Sequence, residues 1–375
     1  MDAVVVSGAR TPIGRAYKGS LAGVDAFELA RVAVGGAIKR SGVPADELDD
    51  VILAESMQGG GAIARHIAID LGLLDVPGIA VNRHCAASLS AVQLAAGSIA
   101  AGMDRAIVAG GTESISTMPI VTTRSGAPWW PPTHVDSPEA PNRDMSITVG
   151  ENTARIAGVT REQADEWALH SHLRAAAAIT EGRFDDEIVP VGSFTRDEHP
   201  RGDTTIEKLA ALPVLHPELP GATVTAGNAA GMNDAASAVV VTSADFARAN
   251  GLAPMARIVS WASVGVDPIR TGLAPTIAVP KALERAGMTI GDVDLFEINE
   301  AMCSMAVAST RVLGIDHSIV NVNGSGCGLG HPVAATGTRM LLTTMFELRR
   351  RGGTIGCVAM CAGGGMGSAL VFELV

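Results

Sequence analysis

The sequence predicts an α/β protein of five layers, α-β-α-β-α, formed by two homologous halves and an inserted loop domain. Three observations predict it: a gapless internal repeat, an uncharged helix in the first half, and a change of composition in mid-chain. The segment Ser41 to Met57 lies on Ala286 to Met302 at a constant offset of 245, with Gly42 on Gly287, Asp49 on Asp294 and Glu55 on Glu300. Upstream, Ala37, Ile38 and Arg40 fall on Ala282, Leu283 and Arg285. Self-similarity at a fixed spacing marks duplicated structural units.

Each half reads β, α, β, α, β. Strand-like runs at Ala3 to Ser7 and Arg257 to Ser260 open the halves; a helix ending near the shared glycine, an Asp-punctuated turn and an apolar strand follow. The first half continues through Ile79 to Asn82, a helix from about Ala86 to Ala101 and a strand from Arg105 to Ala109. That helix carries no charge, and a helix apolar or small all round is buried on every side. It therefore belongs in the middle of the molecule, with layers above and below. Alternating β and α elements predict mostly parallel sheets covered by helices.

From about Pro119 to Gly227 the composition shifts. Trp129-Trp130-Pro131-Pro132 and Asp-, Arg- and Pro-rich segments enclose one strong helix, about Arg161 to Glu181, capped by Thr160 with Glu162 close behind. The chain divides into residues 1–118 with 228–253 as the N-terminal half, 119–227 as the inserted domain, and 254–375 as the C-terminal half. Such insertions cover or complete a site on a rigid scaffold. The tryptophan pair is expected to pack inside the inserted domain or across a subunit contact.

The 375 residues include 28 Lys+Arg against 39 Asp+Glu, a formal charge of −11 and the wrong sign for an overall footprint on nucleic acid or anionic lipid. Hydrophobic residues make up 47% and charged residues 18%, and with 43 Gly the interior must be filled by small side chains and close backbone packing. Apolar runs such as Val239 to Val241 fall far short of the roughly 20 residues that cross a bilayer. Met1 to Val6 enters a strand without a basic or long apolar leader. The five cysteines are odd in number and lack a CxxC pair. The expectation is a cytoplasmic protein with reduced thiols, no disulfide framework and no metal.

Cys85 follows the strand Ile79 to Asn82 and opens the uncharged helix, where free N–H groups and the helix dipole would lower its thiol pKa. By itself, a Cys in an Ala- and Ser-rich stretch is more often a small core residue. Two glycine-rich runs, Gly324 to Pro332 and Cys361 to Gly367, can aim backbone N–H groups at an oxyanion. Neither is followed by Lys-Ser/Thr nor fits a dinucleotide fingerprint, which favours carbonyl chemistry over nucleotide binding. His331, between Gly330 and Pro332, suits a general base. Asn299-Glu300 ends a second-half strand, where α/β sites form.

As a set, VNRHCAAS around Cys85, TAGNAAGMNDAAS at 225 to 237, INEAM at 298 to 302, NVNGSGCGLGHPVAATG at 321 to 337 and CAGGGMG at 361 to 367 resemble the thiolases, acyl-CoA C-acyltransferases, over the whole chain. The resemblance implies a thiolase-like five-layered fold and a reversible thiolytic cleavage of 3-ketoacyl-CoA through an acyl-cysteine, degradative or, alternatively, biosynthetic. It implies Cys85 as nucleophile, His331 as its base, Cys361 as the second acid/base, and Asn299 holding a water that forms one oxyanion hole with His331. The N–H groups of Cys85 and Gly363 would form the other. CoA would be a substrate and no cofactor would be needed. The expected assembly is a homodimer or homotetramer, with β-oxidation enzymes as possible partners.

The departures from the pattern concern substrate contacts. Ala86-Ala87-Ser88 stands where many relatives have Ser-Gly, and Ala230 replaces a Ser whose hydroxyl meets the pantetheine arm. Met302 replaces a Phe, and Met145-Ser146 replaces a His-Met pair. Arg201 matches an Arg that meets the nucleotide end of CoA, across a gap. The resemblance leaves two rivals: a decarboxylating ketosynthase, which lacks a second cysteine like Cys361, and a non-catalytic acyl-CoA or lipid carrier, which has no reason to keep Cys85, Asn299, His331 and Cys361 together.

Overall fold

In a computed structural model, which describes residues 1–58, 60–130 and 132–375, the strands in chain order are β1 (Ala3–Arg10), β2 (Gly14–Arg15), β3 (Asp50–Ala54), β4 (Gly78–Val81), β5 (Ala106–Ser114), β6 (Asn233–Ser243), β7 (Ala256–Gly265), β8 (Leu295–Ile298), β9 (Ile355–Ala362) and β10 (Met366–Leu374). The α-helices are α1 (Ala26–Ser41), α2 (Ile63–Asp70), α3 (Ala87–Ala100), α4 (Asn152–Ala157), α5 (Arg161–Thr180), α6 (Ile206–Ala210), α7 (Ala244–Ala249), α8 (Pro275–Ala286), α9 (Cys303–Leu313) and α10 (Thr336–Arg351). Gly59 and Pro131 lie outside the described residues, so the Trp-Pro segment is described only in part.

The strands run in the order β4-β3-β5-β6-β1-β7-β10-β9-β8, with β2 on β6. The halves meet where β1 pairs with β7 through only Val4↔Arg257 and Val5↔Ala256. The two halves of the sheet enclose α3 and α10; α1 and α2 cover one outer face and α8 the other. Alternation along the strands sorts the side chains. Val5, Ile107, Val239 and Val241 face the central helices, whereas Val4, Ala106, Val108, Ala238 and Val240 face α1 and α2.

The repeat is legible in its hydrogen bonds. Gly42 and Gly287 close α1 and α8 in left-handed conformation, φ 71 and 68, where glycine carries no Cβ penalty. Ser7 Oγ donates to Ala37 O at 2.7 Å, and Ser260 Oγ to Ala282 O at 2.6 Å. Asp49 accepts from the N–H groups of Arg105 and Ala106 as Asp294 does from Thr354 and Ile355, so each fixes the start of a central strand. The 3-10 turns His84–Ala86 and Val333–Ala335 likewise precede α3 and α10.

Two expectations need correction. The sheet is not mostly parallel: β3 pairs in parallel with β4 and β5, and β8 with β9, while the other named pairings are antiparallel. The long segment between β5 and β6 and the tight β9–β10 turn return the chain in the opposite direction. Nor is α3 buried all round; Leu94 is 51% exposed, in a recess it shares with Arg83 and Trp261. Trp129 and Trp130 are 45% and 37% exposed in the single chain, which leaves packing across a subunit contact as the alternative of the two that were expected.

The segment between β5 and β6 carries α4 to α6. Thr160 caps α5 as expected, and Gln163 completes a capping box with it. Among the described residues no helix is long and apolar enough to cross a membrane.

α3 and α10 approach each other closely at their starts. A Cβ added to Gly337 would sit 2.6 Å from Leu89 N, and Thr338 N donates to Ser88 Oγ at 3.0 Å. Gly337→Ala is expected to cost about 1–3 kcal/mol by overpacking against backbone, read as a lower midpoint in chemical or thermal unfolding; an unchanged midpoint would refute this contact.

Candidate active site

Cys85 occupies the turn His84–Ala86 just ahead of α3. His84 is held at φ 46, a left-handed conformation unusual for a non-glycine residue. Its N–H donates to Asn82 Oδ1 at 2.8 Å and its Nδ1 lies 3.2 Å from Ser56 Oγ. The turn brings the Cys85 sulfur to two N–H groups, its own and that of Gly363. Gly363 starts the turn between β9 and β10, completed by Gly364 and Gly365 at φ 86 and 74.

Cys85 keeps a window to solvent, yet burial of its sulfur pushes the thiol up to about 11, against the two N–H groups and with a further rise from Glu113. The expected lowering by the helix terminus is therefore overturned. Cys85 sits before the first α-helical turn, and lost hydration outweighs two N–H dipoles.

His331 follows the glycine loop and precedes the turn that starts α10. Thr336 Oγ1 spends its hydrogen on Pro332 O (3.1 Å), so it accepts from His331 Nδ1 at 2.7 Å. Nε2 is left with the lone pair, 3.4 Å from Asn299 Nδ2. Burial, then the Arg339 charge, lowers the imidazole to about 3, so it is neutral near pH 7. Asn299 is buried at the end of β8, and its Oδ1 has no hydrogen-bond partner among the described residues. The turns holding Cys85 and preceding α10 pack on each other, and β9 packs on the Cys85 turn.

Glu300, next to Asn299, is a buried hub. Oε1 accepts from Trp167 Nε1 and Asn321 Nδ2, each at 2.8 Å; Oε2 accepts from Ser171 Oγ at 2.5 Å and Cys327 N at 3.1 Å. It thereby ties α5 and the glycine loop to the end of β8. Asn321, at φ 49, exchanges two hydrogen bonds with the Ile298 backbone.

Cys361, on β9, is fully buried with its sulfur 3.4 Å from Met305 Sδ. Burial first, then Cys85 nearby, raises its thiol well above the usual range. Met145, Val149, Ala301, Met302 and Met305 surround it. Met145 also approaches Gly363, whose added Cβ would lie 3.6 Å from Met145 Sδ. Ala230 N donates to Ala301 O at 3.0 Å and Ala229 pairs with Met302. The structure thus gathers Cys85, Cys361, Gly363, Met145 and Met302 in one place, and His331 with Asn299 beside the Cys85 turn. Arg201 is exposed, its N–H donating to His172 Nδ1 at 3.3 Å, and is not brought to these groups.

Two residues near the sulfur escaped the sequence reading. His84 was visible only as a neighbour of Cys85. Glu113 ends β5, buried, and accepts from Met57 N (3.0 Å), Gln58 Nε2 (2.7 Å) and Ala334 N (3.2 Å). Burial pushes it up to about 7. Among the described residues no group of three or more His, Cys, Asp or Glu is arranged to hold a metal ion.

Residues 3–245 match the family described as Thiolase, N-terminal domain, and residues 252–374 match Thiolase, C-terminal domain. The chain is 41% identical over 399 residues to a 3-ketoacyl-CoA thiolase of Bacillus subtilis (strain 168), covering 100% of this chain and 99% of that protein. It is 40% identical over 393 residues to an acetyl-CoA acetyltransferase of Escherichia coli (strain K12), covering 99% of each. The crystal structure of the Bacillus anthracis acetyl-CoA acetyltransferase superposes with a TM-score of 0.91 at 37% identity, over 100% of this chain and 99% of that one.

A raised thiol pKa is reactive only through its small thiolate fraction. Alkylation of Cys85 by iodoacetamide, followed by peptide mass mapping, should therefore rise about tenfold per pH unit between pH 7 and 9. A plateau in that range would contradict the burial argument. Glu113→Gln removes a nearby negative charge, so at pH 8 it should speed alkylation of Cys85; slower alkylation would reverse the sign assigned to that carboxylate.

Proposed function

This chain belongs to the thiolase family and is an acyltransferase, and from that premise we propose that it cleaves 3-ketoacyl-CoA with CoA through an acyl-Cys85 intermediate. The observation that carries the proposal is the second thiol: Cys361 lies close enough to Cys85 for the Cys85 charge to raise its cost of ionising, and the Gly363 N–H reaches the Cys85 sulfur. A ketosynthase has no use for that second thiol.

The Cys85 sulfur attacks C3 of the substrate while His331 Nε2, held as a lone-pair acceptor by Thr336, takes the thiol proton. The thiol and imidazole are both neutral at rest, so the proton moves during attack and no ion pair is stored beforehand. Breaking the C2–C3 bond leaves an acetyl-CoA enolate, which Cys361 protonates at C2; its raised thiol pKa keeps that proton available. Asn299, with a spare amide oxygen beside His331, suits a water that stabilises the enolate oxygen. CoA then enters, gives its thiol proton to Cys361 and attacks the acyl thioester, whose oxygen lies toward the N–H groups of Cys85 and Gly363. The sequence of steps is ping-pong. It moves protons and one acyl group only, so CoA serves as substrate and no metal or redox cofactor has a task.

Met145 and Met302 line the acyl side, where flexible thioethers adapt to different chains. Ala230 offers CoA no hydroxyl. The exposed Ile79 on the open edge strand β4 supports self-association through this edge into at least a dimer.

Purified protein given acetoacetyl-CoA and CoA should consume the enolate absorbance, and a series of longer 3-ketoacyl-CoA substrates would define chain length. No turnover with any of them would favour an acyl-CoA carrier. Cys85→Ala should show no acyl-enzyme by intact mass. Cys361→Ala should still acylate but turn over about 10²–10⁴-fold more slowly; normal turnover in both would refute the assigned roles.

A further inference from the structure

His84 has no task in the reaction above, yet it precedes the nucleophile and its ring faces the acyl side. Its φ of 46 is uncommon outside glycine, and a chain keeps such a conformation only where the surroundings hold it. Two contacts fix the ring from opposite edges. On one, Nδ1 lies 3.2 Å from Ser56 Oγ. On the other, a Cβ built on Gly363 would lie 3.7 Å from His84 Cδ2 and 3.8 Å from its Cγ, and 3.6 Å from Met145 Sδ. The imidazole and the Met145 thioether therefore stand on the same side of Gly363.

Ser56 decides which ring nitrogen carries hydrogen. It is buried between two anchored neighbours: Glu55 N donates to Val81 O at 3.2 Å, and Met57 N to Glu113 Oε1 at 3.0 Å. Among the described residues its hydroxyl meets no acceptor other than Nδ1, and a buried hydroxyl spends its hydrogen. Nδ1 therefore accepts, and Nε2 carries the N–H. That N–H has no protein partner among the described residues, and His84 is only half-buried. The rest of this side supplies no strong acceptor, since Met145, Val149, Ala301, Met302 and Met305 present thioethers and aliphatic groups.

We propose that His84 is a specificity-determining residue whose Nε2–H donates to a neutral oxygen, a hydroxyl or carbonyl, on the acyl chain, so that the enzyme prefers oxygenated 3-ketoacyl-CoA to the plain alkyl kind. The inference rests on the thiolase reading and names its substrate class. A plain alkyl chain seated against the ring strips water from this N–H and returns no hydrogen bond, whereas an oxygen at that place restores it. A carboxylate tail fits less well. Burial keeps the imidazole uncharged, and Glu113, near enough to raise the Cys85 thiol, repels an anion.

The test measures kcat/KM of the full-length protein for 3-ketohexanoyl-CoA, for its 5-hydroxy and 6-hydroxy derivatives, and for the 3-keto chain of equal length ending in a carboxylate. One hydroxylated substrate should exceed the plain one by about tenfold, and the carboxylate should fall below both hydroxylated forms. His84→Asn, which tolerates left-handed backbone but is too short to reach, should bring that ratio near unity; a ratio taken within one protein cancels any loss shared by the substrates. Ser56→Ala frees the tautomer and should lower the same ratio by about threefold. No preference for either hydroxylated substrate in the wild type, or a preference that survives His84→Asn, would overturn the inference. Better turnover of the carboxylate would overturn the neutral acceptor. Failure to turn over any member of the series would remove the thiolase reading and this inference with it. The wild-type series and Ser56→Ala decide the point if His84→Asn does not fold.

Discussion

The contact on which this molecule depends is the crossing of its two central helices at their N-terminal ends. Gly337 lets α10 approach the backbone of α3 at Leu89, and Ser88 and Thr338 pin the crossing with hydrogen bonds. Cys85 lies three residues ahead of Ser88, and His331 six ahead of Gly337. Two groups separated by most of the chain are therefore brought together by the least adjustable part of the core, where a methyl group would be too much. Farther along, Gln93 Nε2 donates to Ser368 Oγ at 2.8 Å, which fixes α3 against β10. β9 and its Gly363 turn are registered on β10, so the second cysteine inherits the same frame.

The electrostatics of the site follow from burying it there. Both thiols are raised and the imidazole is lowered, each primarily by lost hydration. All three reacting groups rest uncharged. Charges are kept one layer away: Glu297, pushed up to about 7 by burial, meets Arg339 Nη1 at 2.7 Å, and Glu113 is held by three N–H donors. Removing one partner of such a buried pair leaves the other uncompensated, which is far costlier than losing a surface ion pair. The arrangement suits a reaction in which protons move only as bonds are made and broken.

Much of this was legible in the sequence. The offset of 245 located helices, capping glycines and the paired Asp49 and Asp294 turns, because caps and turns are set by local backbone chemistry that recurs with the residue. Cys85, His331, Asn299 and Cys361 stood in glycine-rich or strand-end contexts that marked them out. What could not be read was set by distant neighbours. The direction of β6 depends on how a long insertion returns, and the Cys85 thiol depends on the protein packed around its sulfur. Glu113 looked like any strand-end carboxylate until Gln58 and Ala334 closed on it. The uncharged α3 suggested complete enclosure, yet a small apolar surface near Leu94 leaves no trace in composition.

The matching turns ahead of α3 and α10 have one more consequence. Ala334 is the middle residue of its turn, the position that Cys85 holds in the other. An architecture with pseudo-twofold symmetry offers room for a pair of nucleophiles, and this chain fills a single vacancy with sulfur and the other with a methyl group. The unreactive copy is not idle: its amide is what the Glu113 carboxylate grips. Duplication has thus produced one centre of reactivity and one buttress from the same local shape.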